Sequence, residues 1–264
     1  MFGDFFYGID QWVLCLLALA LFYGGAELGF WCGRRGTARV NADAHPHVAT
    51  IEGALLGLLA LLLGFAFSMA MSRYDTRKLL VMEEANDIQT TYLRAQLLPD
   101  RYRADVAQLL KEYLDSRIAY YQAGINPEET KKALAWTESL QVRLWAKAVA
   151  AAREDPNQVT TGYFITSLNG LIDDHTKRVT AMNNHVPEVI LVLLILVACM
   201  TIAVTGYSSG LKNVRLGGVR LILILLVTAT LLIIVDLDRP RRGLITVSES
   251  NLIDVQQALK KFGN

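Results

Sequence analysis

Four apolar stretches of about 20 residues, each carrying a single charged residue, constrain this chain more than any other feature. A helix of that length crosses a bilayer core about 30 Å thick, where only a helix or a closed barrel satisfies its own backbone hydrogen bonds. The composition agrees, because 53% of the 264 residues are hydrophobic, more than an ordinary soluble domain carries. We therefore predict an all-α fold with four transmembrane helices in two pairs, at residues 12–31, 51–72, 186–206 and 219–235.

Charge and cysteine usage exclude several classes of function. The 26 basic residues nearly equal the 25 acidic ones, so the chain lacks the basic surplus of a nucleic-acid-binding protein. Cys15, Cys32 and Cys199 match no zinc or redox spacing, and we expect neither a metal nor another cofactor. The first apolar stretch is longer than that of a signal peptide and lacks a basic start, so we expect it to remain as a membrane anchor.

The sequence divides into four segments. We predict a transmembrane pair at 1–72, a helical extramembrane domain at 73–185 between helices 2 and 3, a second pair at 186–236, and a tail at 237–264. The second span should continue as a helix through 73–98, since no Gly or Pro occurs before Pro99. Asn126 should cap the start of a later helix, with Glu129 placed for a capping box. The tail should contain a short amphipathic helix with one apolar side, formed by Leu252, Val255, Leu259 and Phe262.

One side of the second span carries only small residues. It is formed by Gly53, Gly57, Ala60, Gly64 and Ser68. Small residues at this spacing allow a neighbouring helix to approach closely, which is the first interpretation. The second is that this side lines the pore of an oligomer, in which case Leu61 and Phe65 beside it are candidates for an apolar constriction.

Glu27 and Glu52 are carboxylates within the first two predicted spans, where an ionisable residue is costly and is a functional candidate. They could instead reach the membrane interface and pair with Arg34, Arg35 or a loop histidine. Glu52 projects away from the small side of the second span, so the pattern does not favour a filter built from it.

A metal-dependent enzyme is one alternative function for these residues. His45 and His47, with Asp43, Glu27 and Glu52 nearby in sequence, are of suitable ligand type, but a His-Pro-His pair in a polar loop is typical of solvated residues. No phosphate-binding loop, nucleophile elbow or zinc-protease motif occurs, so we expect the protein not to be an enzyme.

The run LGFAFSMAMSRY at 63–74, followed by Glu84, Ala85 and Asn86, resembles the pore-lining second helix of bestrophin channels. The layout of two spans, a helical domain, two spans and a tail opening with Asp236, Asp238 and Arg239 is also similar, above all to bacterial bestrophin-like membrane proteins of unknown function. The resemblance implies a pentameric, anion-conducting channel in the bacterial inner membrane, with the helical domain and both termini in the cytoplasm. Charge bias alone does not choose the side of the membrane on which the helical domain lies. The residues that flank the first span favour a domain outside the cytoplasm, and those that flank the later spans favour a cytoplasmic domain.

Carried over by position, the resemblance assigns Phe65, Leu61 and Gly57 to successive levels of a pore neck. Ser68, which belongs to the small side of the same helix, is the fourth candidate pore-lining residue. The sequence departs from the family at Gly57, since bestrophin necks carry bulky apolar residues at all three levels. It also lacks the acidic calcium-binding run after Pro240, so calcium gating is not implied.

We therefore predict a homo-oligomeric ion channel whose partners are the lipid bilayer, inorganic ions and other copies of the same chain. The alternative is a non-conducting membrane scaffold or sensor whose helical domain binds another protein.

Overall fold

The computed structural model describes residues 8–36, 45–215 and 217–262, and these residues are almost entirely helical. The helices are α1 (Gln11–Gly36), α2 (His45–Ala95), α3 (Asp100–Gln122), α4 (Pro127–Glu154), α5 (Tyr163–Asn183), α6 (Glu188–Leu211), α7 (Gly217–Leu237) and α8 (Ser250–Phe262). A short π-helical turn, Gln158–Gly162, precedes α5. The described residues contain no strand, and four of the helical segments are long and apolar enough to cross a membrane. The predicted all-α fold with four spans is confirmed.

The chain separates into two compact units. The first contains residues 1–73 and 185–239, and the second contains residues 74–184 and 240–264. The helix α2 is continuous and contributes to both. Its uninterrupted course beyond the second span agrees with the absence of Gly and Pro before Pro99.

In the first unit, glycines bring α1 and α6 into backbone contact. A Cβ atom added at Gly29 or Gly33 of α1 would overlap the carbonyl oxygen of Ala203 or Tyr207 on α6. Cβ atoms at Gly206 and Gly210 of α6 would likewise overlap carbonyl oxygens of α1. Glycine at every fourth position allows this approach, as in other membrane helix pairs. The small residues of the second span favour such packing there, whereas the structure shows it between the first and third spans.

In the second unit, the part of α2 that follows Arg73 packs with α3, α4, α5 and α8 around one apolar core. Fully buried members from these five helices include Ile88, Leu110, Leu140, Phe164 and Leu252. Val255 and Leu259 of the tail helix are also buried in this core, so the predicted apolar side of that helix packs inside the unit. The side chain of Phe262, which was assigned to the same side, lies outside the described residues.

The N-terminus of α4 is capped by Asn126 as predicted, but the capping box is incomplete. The Asn126 Oδ1 atom accepts hydrogen bonds from the backbone N–H groups of Glu128 and Glu129, at 3.1 and 3.3 Å. The N–H group of Asn126 donates to the carbonyl of Ala123, so Glu129 does not complete the reciprocal half of the capping box.

Candidate functional site

The small side of α2 is open within the protomer. No described residue places an atom within 4 Å of a Cβ built on Gly53, Gly57 or Gly64, apart from the immediate chain neighbours and the backbone of α2 itself. Leu61 and Phe65 are 55% and 63% exposed. The burial on this part of α2 lies elsewhere on the helix, at Leu59, Ala66 and Ala70.

All four predicted pore positions therefore lie at exposed points of α2, since Gly57 and Ser68 are exposed as well. The first interpretation of the small residues required a close helix neighbour. Among the described residues of the same chain, none takes that place at the three glycines. The open side can accept another copy of the chain, lipid or a water-filled space.

Glu27 on α1 pairs with a cation on α7. Its Oε1 atom lies 3.0 Å from Nη2 of Arg220, whose other terminal nitrogen donates to the carbonyl of Ala26 at 3.3 Å. Arg220 is 9% exposed and Glu27 is 32% exposed at the side chain. The partner thus comes from the fourth span, whereas sequence analysis considered Arg34, Arg35 and loop histidines. The ion pair offsets much of the cost of placing a carboxylate in a membrane helix.

The other described candidates for metal binding form no metal site. Glu52 is half-buried on α2 and His47 is exposed. Asp43 and the side chain of His45 lie outside the described residues. Within the part of the chain that is described, no three His, Cys, Asp or Glu side chains form a group that could hold a metal ion.

A buried carboxylate ties the end of α7 to the start of α6. The Oδ2 atom of Asp238, which is 1% exposed, accepts a hydrogen bond of 2.6 Å from the backbone N–H of Val186. The ring of His185 lies 3.0 Å from the carbonyl oxygen of Asp238. This segment was singled out in the sequence by its family resemblance, and its aspartate fixes the entry into the third span.

The second unit contains a buried ionic cluster that sequence analysis did not identify. The Glu84 Oε1 atom of α2 accepts a hydrogen bond of 2.7 Å from Nε of Arg117 on α3, and its Oε2 atom contacts Arg178 on α5. All three side chains are at most 1% exposed. Burial lowers the pKa of Arg117, and it lowers the pKa of Arg178 to about 9.

Aromatic rings supply part of the environment of this cluster. The guanidinium of Arg117 lies 4.8 Å from the ring centroid of Tyr120, and that of Arg178 lies 4.7 Å from Tyr121. Arg241 of the tail approaches Tyr120 to 4.1 Å. Ring faces attract cations, so they offset some of the charge that one carboxylate leaves uncompensated. A signal was present in the sequence, since Glu84 stands between Val81 and Ile88 on an apolar helix side.

Comparison with known proteins adds a family and a fold. A family model described as a bestrophin-like domain matches residues 20–252. The crystal structure of a bacterial bestrophin homolog from Klebsiella pneumoniae, carrying one Trp-to-Ala mutation, is similar with a TM-score of 0.64 and 14% sequence identity. The match covers 91% of this chain and 98% of that one, and at this identity it concerns the fold. None of the curated proteins compared matches the chain.

Proposed function

The chain belongs to the bestrophin-like family, and on that premise we propose that it forms a homo-oligomeric ion channel in which α2 lines the pore. The observation that carries this proposal is the open side of α2. A transmembrane helix with glycines at Gly53, Gly57 and Gly64 exposes backbone and small side chains where its own protomer provides no cover. Copies of α2 arranged about a common axis give that side a function.

The residues of this side would form distinct levels along the pore. Leu61 and Phe65 are bulky, apolar and exposed, and rings of such side chains gate by dewetting. Gly57 would leave a wide level beside them, and Ser68 would begin a polar region. The narrowest part of the pore is therefore assigned to Leu61 and Phe65.

Several finer features rest on the family resemblance. It implies five subunits, the bacterial inner membrane, and a cytoplasmic position for both termini and for the helical domain predicted at 73–185. It also implies anion conduction.

Planar-bilayer recordings with the purified protein test the proposal. The wild type should conduct, Gly57→Leu should lower the conductance by narrowing the wide level, and Phe65→Ala should raise it by removing the constriction. Gly24→Leu and Leu16→Ala are matched controls on α1, because Gly24 also faces open space and Leu16 is 67% exposed. Absence of conductance in the wild type and in both α2 variants would defeat the proposal. Changes of conductance in the α1 controls equal to those in the α2 variants would also defeat it.

A partner-binding scaffold is favoured by a different observation. The surface of α4 exposes Trp136, Val142 and Trp145, which are 41%, 71% and 40% exposed. Large apolar side chains on one surface helix are typical of an interaction site. A stable dimer without a central cavity, seen by electron microscopy in nanodiscs, would support the scaffold over the channel.

A further inference from the structure

Basic residues collect at one end of the transmembrane helices of the first unit. Arg34 and Arg35 occupy the last turn of α1, and Lys212 directly follows α6. Arg215 precedes the start of α7, and Arg220 lies in its first turn. These five residues, called the basic end below, all belong to the first unit.

Printed distances show that the basic end is one surface. A Cβ atom added at Gly210 of α6 would lie 2.9 Å from the backbone nitrogen of Arg34, so the last turn of α1 crosses α6 two residues before Lys212. The guanidinium of Arg215 lies 5.1 Å from the ring centroid of Phe30, one helical turn before Arg34. The ends of α1 and α6 and the segment leading into α7 are therefore adjacent.

The basic end carries a surplus of positive charge. Glu27 pairs with Arg220 at 3.0 Å and lies 3.9 Å from Arg215. The described part of the chain places no carboxylate in an ion pair with Arg34 or Lys212, and both are exposed. Five cations thus share one carboxylate, which favours an anionic partner.

Apolar side chains continue the same surface along the helices. Arg35 lies over the ring of Trp31, with 3.2 Å from its guanidinium carbon to the ring centroid. Trp31 is 50% exposed, Leu28 of α1 is 66% exposed, and Val219 of α7 is 66% exposed. Tryptophan is enriched at the membrane–water interface. Cations beside exposed apolar side chains at the end of a span match a molecule with an anionic head and apolar chains.

We propose that the basic end binds the phosphate headgroup of an anionic phospholipid of the phosphatidylglycerol type, with the acyl chains against α1 and α7. Basic pockets between transmembrane helices bind anionic headgroups, and the planar guanidinium group matches the geometry of phosphate. A soluble anion would match the cations but not the apolar residues beside them. The site lies within one protomer, so it does not depend on the proposed channel.

Trp31 provides a direct measurement at the site. A variant that keeps Trp31 as its single tryptophan, with Trp12, Trp136 and Trp145 replaced by phenylalanine, is reconstituted in phosphatidylcholine vesicles. The vesicles contain equal small fractions of either brominated phosphatidylglycerol or brominated phosphatidylcholine. Bromine quenches tryptophan fluorescence on contact, so phosphatidylglycerol should quench Trp31 severalfold more strongly. Equal quenching by the two lipids would overturn the proposal.

Substitutions in this background separate the basic end from a general attraction. Arg34→Gln with Lys212→Gln should abolish the preference, whereas Arg34→Lys with Lys212→Arg, which keeps both charges, should retain it. A preference that survives the glutamine pair would overturn the proposal. A protein with Trp12 as its single tryptophan reports from about 28 Å away along α1 and should show a smaller preference. Equal preferences at Trp12 and Trp31 would also overturn it.

Wild-type protein gives an independent measurement that needs no variant. Its apparent Tm in detergent should rise more with added phosphatidylglycerol than with phosphatidylcholine, because a ligand that binds the folded state stabilises it. Glycerol 3-phosphate, which carries the phosphate without acyl chains, should not reproduce the rise at the same concentration. An equal rise with glycerol 3-phosphate would assign the basic end to a soluble anion and overturn the lipid proposal.

Discussion

Glu84 and Arg117 form a fully buried ion pair, with 2.7 Å between the Glu84 Oε1 and Arg117 Nε atoms. Arg178 contacts the second oxygen of the same carboxylate, so one negative charge serves two buried guanidinium groups. These residues come from α2, α3 and α5. The three side chains therefore join the second-unit part of α2 to α3 and α5.

The first prediction is that Glu84→Gln strongly destabilises the protein. The substitution keeps the shape of the side chain but leaves Arg117 and Arg178 buried without a counter-charge. Breaking a buried ion pair in this way costs about 3–5 kcal/mol. We expect the apparent Tm in detergent to fall by roughly 10 °C, measured by circular dichroism during a thermal scan.

Two controls separate this effect from a general sensitivity to mutation. Glu138→Gln on α4 changes an exposed carboxylate and should leave the Tm nearly unchanged. Replacing Glu84, Arg117 and Arg178 together with methionine should be less harmful than Glu84→Gln, because no buried charge remains unpaired. A triple variant that is less stable than Glu84→Gln would contradict the electrostatic explanation.

Much of the fold could be predicted because its signals are local. The length of an apolar stretch fixes a span, and Pro99 and Asn126 mark helix starts that depend on only a few neighbouring residues. The α1–α6 contact and the Glu84 cluster could not be predicted in the same way. They join residues far apart in sequence, and a glycine or a glutamate on a helix does not specify its partner.

The candidate site could also be predicted only in part. Helical spacing predicts the small side of α2, and the structure places Gly57, Leu61, Phe65 and Ser68 at exposed positions of this helix. The partner of Glu27 was not identifiable, because local sequence offered Arg34 and Arg35 while the tertiary structure brings in Arg220. Sequence spacing predicts which residues lie on the same side of one helix, but it does not predict which residues form an ion pair between two helices.

The second prediction concerns the glycine contact between α1 and α6. Gly29→Ala places a methyl group where the carbonyl of Ala203 lies, so the two helices must separate. Overpacking of this kind costs about 1–3 kcal/mol. Gly24→Ala on the same helix is the matched control, because a Cβ there meets no described atom within 4 Å.

The thermal transition of detergent-solubilised protein measures this difference. We expect a lower apparent Tm for Gly29→Ala and little change for Gly24→Ala, which also gains from the higher helix propensity of alanine. Equal melting temperatures for the two variants would show that α1 and α6 do not depend on backbone contact.

The third prediction is an energetic coupling between Glu27 and Arg220. Their ion pair lies within the transmembrane helices, where each charge is costly without the other. The effects of Glu27→Gln and Arg220→Gln on unfolding free energy should therefore be non-additive by about 0.5–3 kcal/mol in a double-mutant cycle.

Arg34→Gln provides the contrasting cycle, since Arg34 was the partner that local sequence offered for Glu27. The effects of Glu27→Gln and Arg34→Gln should add without coupling. Coupling of Glu27 to Arg34 and not to Arg220 would contradict the ion pair across α1 and α7.

The fourth prediction is a pH dependence that arises from His175 on α5. Burial, together with the positive charge of Arg117, lowers the pKa of His175 to about 4. In the unfolded chain a histidine has a pKa of about 6.5, so between these values the unfolded state binds a proton that the folded state does not. The contribution of neutral His175 to stability is therefore present above about pH 6.5 and is lost as the pH falls towards 4. The slope from one proton does not exceed about 1.4 kcal/mol per pH unit.

Thermal scans across this range should show a flatter decline of stability for His175→Gln than for the wild type. His47→Gln, which changes an exposed histidine, should follow the wild type. A wild-type slope that survives in His175→Gln would place the titrating group elsewhere in the protein.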